Sequence, residues 1–285
     1  MRLPLLAALA LIVVASAAPA AADSCLDCHR KLDQPRLSDP AKHFAPDIHA
    51  RHGLGCVGCH GGNPDDPEET AMDPERGFRG SLMRNQIAEM CASCHANAAF
   101  MKRYNPRPYI FSVEEYRTSV HSKREEKGDH KVATCTNCHG VHGILSHKDP
   151  ASPVFARNVP ATCAKCHNPD YMKGRAVRTD QFEHYRASVH GVALLEEGDA
   201  SAPACNDCHG NHGAAPPGVR DVTVVCGTCH GRVAELFNAS EMKTGMETMG
   251  KRGCVTCHGN HDIRRASDDM LAVAAPGLCG DCHEP

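Results

Sequence analysis

The chain has 285 residues, a formal net charge of −3 at pH 7, 18 cysteines and 20 histidines, while aromatic residues make up 4% and tryptophan is absent. So few aromatic residues cannot build an ordinary apolar core in a chain of this length, so a bound group must supply much of the interior. The charge is nearly balanced and no basic stripe is present, which argues against nucleic acid as a partner.

Residues 1–22 have the features of a secretory signal peptide. Arg2 gives the positive charge, residues 3–14 are apolar, and residues 20–22 form a small-residue cleavage site. The apolar stretch is shorter than the roughly 20 residues that a membrane-spanning helix needs. We therefore expect cleavage after Ala22, with an uncleaved anchor as the alternative. Later apolar runs are also short, so no transmembrane segment is expected in the mature chain.

The mature chain opens with a Cys-x-x-Cys-His motif at Cys25, and a second copy follows at Cys56. Three histidines, His43, His49 and His52, lie between the two motifs. The following Gly-Gly-Asn-Pro-Asp-Asp-Pro stretch is typical of an exposed loop. A short helix is predicted over about residues 82–90, directly before the next motif.

A longer repeat begins at Cys91. It consists of Cys-x-x-Cys-His, Met-Lys, Tyr-x-x-Ser-Val-His and Cys-x-x-Cys-His-Gly-x-His-Gly, and corresponding positions of the two full copies lie 69 to 72 residues apart. A shorter copy and a degenerate first copy flank them, and in the first copy Asn63 takes the place of His142. Such repetition suggests duplication and stacked pairs of sites. The four two-motif units and the terminal motif span residues 25–63, 91–143, 163–213, 226–261 and 279–283.

Helices are predicted to be few and short. A Ser-x-x-Glu and an Asp-x-x-Glu capping box predict helices over about residues 112–127 and 180–197, each with a Ser-Val-His histidine near its middle. No alternating strand pattern is present, and 24 glycines and 19 prolines indicate that loops dominate.

Cys-x-x-Cys-His is the attachment signature of c-type haem, in which the thiols add to the porphyrin vinyl groups and the histidine becomes an axial iron ligand. A lone cysteine pair is also compatible with zinc, a redox dithiol or a disulfide. Here all nine pairs are followed by histidine, and together they account for every cysteine. The predicted attachment cysteines are Cys25, Cys28, Cys56, Cys59, Cys91, Cys94, Cys135, Cys138, Cys163, Cys166, Cys205, Cys208, Cys226, Cys229, Cys254, Cys257, Cys279 and Cys282. The predicted proximal ligands are His29, His60, His95, His139, His167, His209, His230, His258 and His283.

With these motifs and this repeat, the chain resembles the exported multihaem c-type cytochromes that carry paired haem motifs. The resemblance covers nearly all of the mature chain and implies that haem is attached outside the cytoplasm. About 29 residues would serve each of nine haems. We therefore expect short α-helices and loops with little or no β-structure, wrapped around nine covalently bound haem c groups that form the core.

Eleven histidines remain, which is more than solvated surface positions explain. Recurrence at fixed offsets from the motifs favours five of them as distal ligands, and the histidines of the first unit are further candidates. His142 follows His139 by three residues, so it must bind a neighbouring haem, and Gly140 allows the necessary turn. The predicted distal histidines are His43, His49, His52, His121, His142, His190, His212 and His261. His130, His147 and His184 have no counterparts in the repeat.

Met242 departs from the repeat, because it stands where the third copy should carry the Ser-Val-His histidine. A His/Met haem has a higher reduction potential than a bis-His haem. We therefore hypothesise that one C-terminal haem has His/Met ligation and a higher reduction potential than the bis-His haems. The alternative is that Met242, Met246 and Met249, at helical spacing, pack against porphyrin.

Electron transfer is the favoured function, because haems with both axial positions filled pass electrons but bind no substrate. The resemblance implies a periplasmic carrier in an anaerobic or respiratory chain, between a membrane quinol-oxidising complex and a terminal reductase or outer-membrane conduit. An extracellular or outer-membrane-associated location is the alternative. One alternative is an enzyme that has an iron with an open coordination position and reduces nitrite or tetrathionate or oxidises hydroxylamine. Some enzymes of this kind carry Lys in place of the motif histidine, and no Cys-x-x-Cys-Lys occurs here. The alternative is nevertheless retained for one N-terminal haem, because Asn63 stands in place of a ligand histidine. Another is a filament in which His147 binds a haem of the next subunit. The oligomeric state stays open.

Overall fold

The structure, a computed structural model, describes residues 23–217, 222–271, 278–281 and 283. The expected signal peptide at residues 1–22 and Cys282 lie outside these residues. The described chain forms short α-helices and 3₁₀ helices joined by loops, and no strand occurs in it. The predicted helical fold class is confirmed.

The α-helices in chain order are α1 Ser24–His29, α2 Pro35–His43, α3 Ile48–Arg51, α4 Val57–His60, α5 Ile87–His95, α6 Ala98–Met101, α7 Ser112–Thr118, α8 Val120–Glu125, α9 Cys135–His139, α10 Val159–Ala164, α11 Gln181–Ala187, α12 Val189–Leu195, α13 Cys205–His209, α14 Val222–Gly227, α15 Gly231–Asn238, α16 Glu241–Thr248, α17 Cys254–His258 and α18 Asp268–Leu271. The 3₁₀ helices are Glu69–Met72, Pro74–Arg76, Arg84–Gln86, Ala156–Asn158 and Leu278–Asp281.

Several attachment motifs are themselves a single helical turn, as in α1, α9, α13 and α17. The i, i+3 spacing of the cysteines then brings both sulfurs to one side of the turn. Directly after the motif, Gly140 adopts φ 85°, which ends α9 and produces the sharp turn that the sequence predicted.

The helix predicted over residues 112–127 is interrupted at Ser119, where the backbone is extended at ψ 159°. The Ser119 side chain accepts a hydrogen bond from the Ser122 backbone N–H at 3.1 Å and caps a new helix, α8. The predicted capping box is wrong, because Ser112 lies inside α7 and the N-cap is Phe111. His121 consequently lies in the first turn of α8 rather than in the middle of a long helix.

The helix predicted over residues 180–197 is interrupted in the same way. Ser188 separates α11 from α12, and its hydroxyl accepts from the Gly191 N–H at 3.0 Å. The Asp180 side chain does not cap α11 but pairs with the guanidinium of Arg178. A Cβ at Gly191 would overlap the carbonyl of Tyr185, so the tight junction requires glycine. The helix predicted over 82–90 forms as α5, which starts later and includes the attachment motif.

The apolar core of the described chain is small, as the composition predicted. Its main cluster consists of Tyr185, Leu194 and Ala204, of which Leu194 is 1% exposed. The Tyr185 hydroxyl donates to the Pro203 carbonyl at 2.8 Å, two residues before a motif. This bond ties the ligand-bearing helices to the second motif of the same unit. None of the described helices has the length and apolar character needed to cross a membrane.

Candidate functional site

Within each two-motif unit, the first cysteines of the two motifs are neighbours. The thiols of Cys91 and Cys135 hydrogen-bond, and this bond together with burial raises the pKa of Cys91. Cys25 interacts electrostatically with Cys56, whose pKa is raised to about 12 mainly by burial. The other two first-cysteine pairs are Cys163 with Cys205 and Cys226 with Cys254. Each unit therefore brings two attachment motifs side by side.

Between consecutive units, the second cysteine of one motif interacts with the next motif, in each case with its second cysteine and for Cys138 also with Cys163. Cys138 interacts with Cys166, and burial raises the Cys138 pKa to about 11. The corresponding pairs are Cys59 with Cys94 and Cys208 with Cys229. Together with the pairs inside the units, these contacts arrange the motifs from Cys25 to Cys254 in one row that follows chain order.

Six histidines of this row each face a histidine from outside the motifs. The ring centroids lie 5.9 to 6.3 Å apart in every pair. Two imidazoles bound at about 2 Å on opposite sides of one metal have centroids about 6 Å apart, so this spacing fits an iron between the rings. The pairs are His95 with His49, His60 with His142, His167 with His121, His139 with His212, His230 with His190, and His209 with His261.

The pairs follow one rule of connectivity. The Ser-Val-His histidine faces the first motif of the following unit, as His121 faces His167. The Gly-x-His histidine faces the second motif of the preceding unit, as His142 faces His60. His49, predicted for the N-terminal haems, obeys the first rule and faces the third motif. Every unit thus exchanges histidines with its neighbours.

A recurring backbone hydrogen bond holds the two kinds of histidine segment together. The residue before a Ser-Val-His-type histidine donates its N–H to the carbonyl two residues after the Gly-x-His histidine of the next unit. Two facing segments are fixed by each such bond. The bonds are Ile48 to Ile144 at 2.7 Å, Val120 to Ala214 at 3.0 Å and Val189 to Ile263 at 3.0 Å.

Several motif histidines present their Nε2 atoms for metal binding. Their Nδ1 atoms contact backbone carbonyls, which only accept, so Nδ1 carries the proton and Nε2 keeps its lone pair. These contacts are His29 to Leu37 at 3.1 Å, His60 to Gly80 at 2.8 Å, His209 to Ala215 at 3.1 Å and His258 to Arg264 at 3.2 Å.

Electrostatics also favour the metal-binding form of the paired histidines. Burial lowers the pKa of seven of them, with a further decrease from neighbouring imidazoles, so their neutral form predominates at pH 7. Neutral imidazole is the form that ligates metal. The seven are His95, His121, His139, His142, His167, His190 and His261.

Three predicted distal ligands face no motif histidine in the described part of the chain. Nδ1 of His43 donates a hydrogen bond to the Asp39 backbone carbonyl at 2.8 Å. His52 lies edge-on to Tyr104, with centroids 5.5 Å apart, and Met242 is 51% exposed. These three assignments stay predictions. Sequence reasoning missed Asp47, which contacts His49, because an aspartate before a helix looks like an ordinary cap.

Comparison with known proteins identifies the family. The sequence profile described as cytochrome c3 matches residues 48–168 and 198–284, which is more than half of the chain. The chain belongs to the cytochrome c3 family. It is also 27% identical, over 270 residues, to the multiheme cytochrome MtrA of Shewanella baltica (strain OS185), a match that covers 93% of this chain and 67% of that relative. No solved structure matches significantly.

Family membership confirms the central predictions made from the motifs. The chain is a multihaem c-type cytochrome that carries covalently bound haem c and transfers electrons. The donor set fits this group, since paired thiols, an adjacent histidine and a facing imidazole recur along the row.

Proposed function

We propose that the chain is a periplasmic electron carrier that holds nine haem c groups, attached at the nine predicted cysteine pairs. The observation that carries this proposal is the set of six imidazole pairs, 5.9 to 6.3 Å apart, along a row of motifs in chain order. Bound haem c would supply one-electron chemistry at these sites. Neighbouring motifs in contact would keep neighbouring haems within short electron-transfer distance.

In the proposed sites, the paired thiols would hold the haem covalently and the motif histidine would bind its iron. The facing histidine, such as His212 opposite His139, would be the second iron ligand. Filling both positions leaves no place for a substrate at these irons, which supports a carrier rather than an enzyme.

The rule of connectivity also bears on Asn63. In later units the equivalent histidine faces the preceding unit, so Asn63 does not correspond to a ligand of its own unit. The second motif of that unit is faced by His142 instead. The enzyme alternative needs an iron without a second ligand. It therefore applies only to the sites at His29, His258 and His283, for which no facing imidazole is described.

The remaining ligands are proposed from position. His43 lies on α2, and the Leu37 carbonyl of the same helix accepts a hydrogen bond from Nδ1 of His29. His43 is therefore the proposed second ligand of the first site. Met242 occupies the position that faces the first motif of the next unit, and we assign it to the haem at Cys279. His52 stays a candidate without an assigned site.

Location and partners rest on the sequence. The signal-peptide features at residues 1–22 and the resemblance to exported cytochromes support a periplasmic protein. We propose a membrane quinol-oxidising complex as the electron donor, and a terminal reductase or an outer-membrane conduit as the acceptor.

The proposal is tested on the oxidised holoprotein by counting haem as pyridine haemochrome and recording electron paramagnetic resonance on the same sample. We expect nine haems per chain and low-spin ferric signals. Replacing His190 by alanine should convert one haem to high spin, because the ring facing His230 is removed.

The matched control is His184→Ala, six residues earlier on α11. His184 lies outside the imidazole pairs of the described chain, and its Nε2 is 3.9 Å from the Asp180 carboxylate. It interacts electrostatically with His261 but does not face a motif histidine. This variant should keep the low-spin spectrum. If His190→Ala also keeps it unchanged, the proposed axial pairs are wrong.

A further inference from the structure

Asp47 is a buried carboxylate that touches one of the paired imidazoles. Only 1% of the residue is exposed. Its Oδ1 accepts from Nδ1 of His49 at 2.9 Å and from the His49 backbone N–H at 2.8 Å. Its Oδ2 accepts from the backbone N–H groups of Gly143 and Ile144 at 2.9 and 2.7 Å. Both oxygens are therefore fixed by donors.

This contact determines the state of the His49 ring. A carboxylate only accepts, so the proton of the neutral imidazole must sit on Nδ1, and Nε2 is left with its lone pair. The ring faces His95, with centroids 6.1 Å apart. A carboxylate that accepts from Nδ1 makes the imidazole a more basic ligand.

The equivalent positions in the next two units lack this charge. Ser119 and Ser188 stand two residues before His121 and His190, and their hydroxyls cap helices. Another carboxylate near a paired ring is that of Glu115, but its Oε2 lies 3.5 Å from His212 Nδ1 and its side chain is 42% exposed. Water screens such an exposed charge, whereas the buried Asp47 charge is screened much less.

We infer that Asp47 lowers the reduction potential of the haem attached at Cys91 and Cys94 and makes it the lowest-potential site of the six imidazole pairs. The inference rests on the proposed function, because it takes His49 and His95 as the axial ligands of that iron. A more basic ligand and a nearby buried negative charge both favour ferric over ferrous iron. Asp47 is thus a positioning and tuning residue that acts through His49.

The first test is Asp47→Asn in the holoprotein, followed by spectroscopic redox titration and electron paramagnetic resonance. Asparagine keeps the size of the side chain and one acceptor oxygen but removes the charge. The midpoint potential of the haem at Cys91 should rise most. A smaller rise is expected at the neighbouring site of His60 and His142, because the Asp47 charge also acts on His142. The spectrum should remain low spin. The control Asp65→Asn removes the same charge from an exposed loop directly after the first unit and should shift no single potential.

A reciprocal variant keeps the test decisive if Asp47→Asn does not fold. Ser119→Asp places a carboxylate two residues before His121, and Gly213 and Ala214 supply the backbone positions equivalent to Gly143 and Ile144. One midpoint potential should fall in this variant. A merely structural role for Asp47 would alter folding stability without this gain.

The outcomes separate the inference from the proposed function. If the low-spin spectrum is kept and neither variant shifts one potential in the expected direction, the tuning role is overturned while the axial pairs stand. If the unmodified protein lacks bis-imidazole low-spin haem, both proposals fall. A rise with Asp47→Asn, or a fall with Ser119→Asp, supports the tuning role.

Discussion

Met242 takes a structural position that histidine holds in two earlier units. His121 and His190 are each the second residue of a helix whose N-cap is serine, and Met242 is the second residue of α16 behind Ser240. The backbone therefore presents the thioether much as it presents the two imidazoles. This equivalence supports the proposed role of Met242 at the haem of Cys279.

Replacing Met242 by histidine should lower one midpoint potential in a redox titration. The reason is that imidazole is a stronger donor to ferric iron than a thioether, and bis-His haems lie below His/Met haems. Met249→His is the control, since Met249 is similarly exposed but follows the end of the helix. A titration curve that does not change in Met242→His would reject ligation by Met242.

At this scale the attachment residues stay a prediction from the sequence, which rests on the one fixed spacing that covalent attachment demands. Recurrence singled out five of the six histidines that the structure places opposite motif histidines, and His49 is the sixth. It could not tell which histidine faces which motif, since His49 and His95 meet only through contacts between units. The role of Asp47 was likewise invisible, because it depends on backbone donors almost a hundred residues later.

The paired helices that carry the Ser-Val-His histidines depend on a tight junction. At Ser188 the chain leaves α11 and starts α12, and Gly191 approaches the carbonyl of Tyr185 too closely for a side chain. The junction aims His190 at His230 and packs Leu194 into the small apolar cluster. A change at the junction therefore affects both the ligand and the core.

Gly191→Ala should destabilise the protein by about 1–3 kcal/mol, because the added methyl group must displace backbone in a packed region. Urea unfolding followed by circular dichroism measures the difference. Gly245→Ala is the control, as a Cβ at Gly245 in α16 meets no atom within 4 Å. That control should be neutral or stabilising by up to about 1 kcal/mol. Equal effects of the two substitutions would contradict the proposed overlap.

The sequence predicted where these helices begin to within a residue, but it missed the breaks at Ser119 and Ser188. The acidic residues in Ser-x-x-Glu and Asp-x-x-Glu suggested capping boxes, whereas the Asp180 side chain is occupied by Arg178. The working N-caps are the serines of Ser-Val-His itself. The break after Ser188 lies next to the inter-unit bond of Val189 to Ile263, a contact that local sequence patterns do not show.

Consecutive units are also joined by a surface ion pair. Arg175 of the third unit donates two hydrogen bonds, both 2.6 Å long, to the carboxylate of Asp129 in the second. The adjacent Tyr171 hydroxyl donates to the Lys131 carbonyl at 2.8 Å. The hydrogen bonds from Arg175 hold the pKa of Asp129 well below its usual range.

Asp129→Asn should lower the free energy of unfolding at pH 7, and the difference from the unmodified protein should shrink as the pH falls below about 4. An unfolded aspartate has a pKa of about 3.9, and the folded value is lower. The stabilisation is therefore complete above the unfolded pKa and is lost as the pH falls through the folded one. Denaturant unfolding at a series of pH values measures it.

Asp33→Asn serves as the control, because Asp33 is exposed and forms no ion pair within the described chain. It should show no such pH-dependent difference. If Asp129→Asn matches this control at every pH, the ion pair contributes nothing to the association of the two units.

The exchange of histidines between units has a consequence for biogenesis. A chain that is exported from its N-terminus delivers His121 some 46 residues before its partner His167, but delivers His142 some 82 residues after His60. With the proposed pairing, the distal histidine for the first motif of a unit is exported before that motif. The distal histidine for the second motif is exported only with the next unit. The attachment machinery would therefore have longer access to the second motif. Each newly exported unit would then supply the histidine that completes the site in the preceding unit.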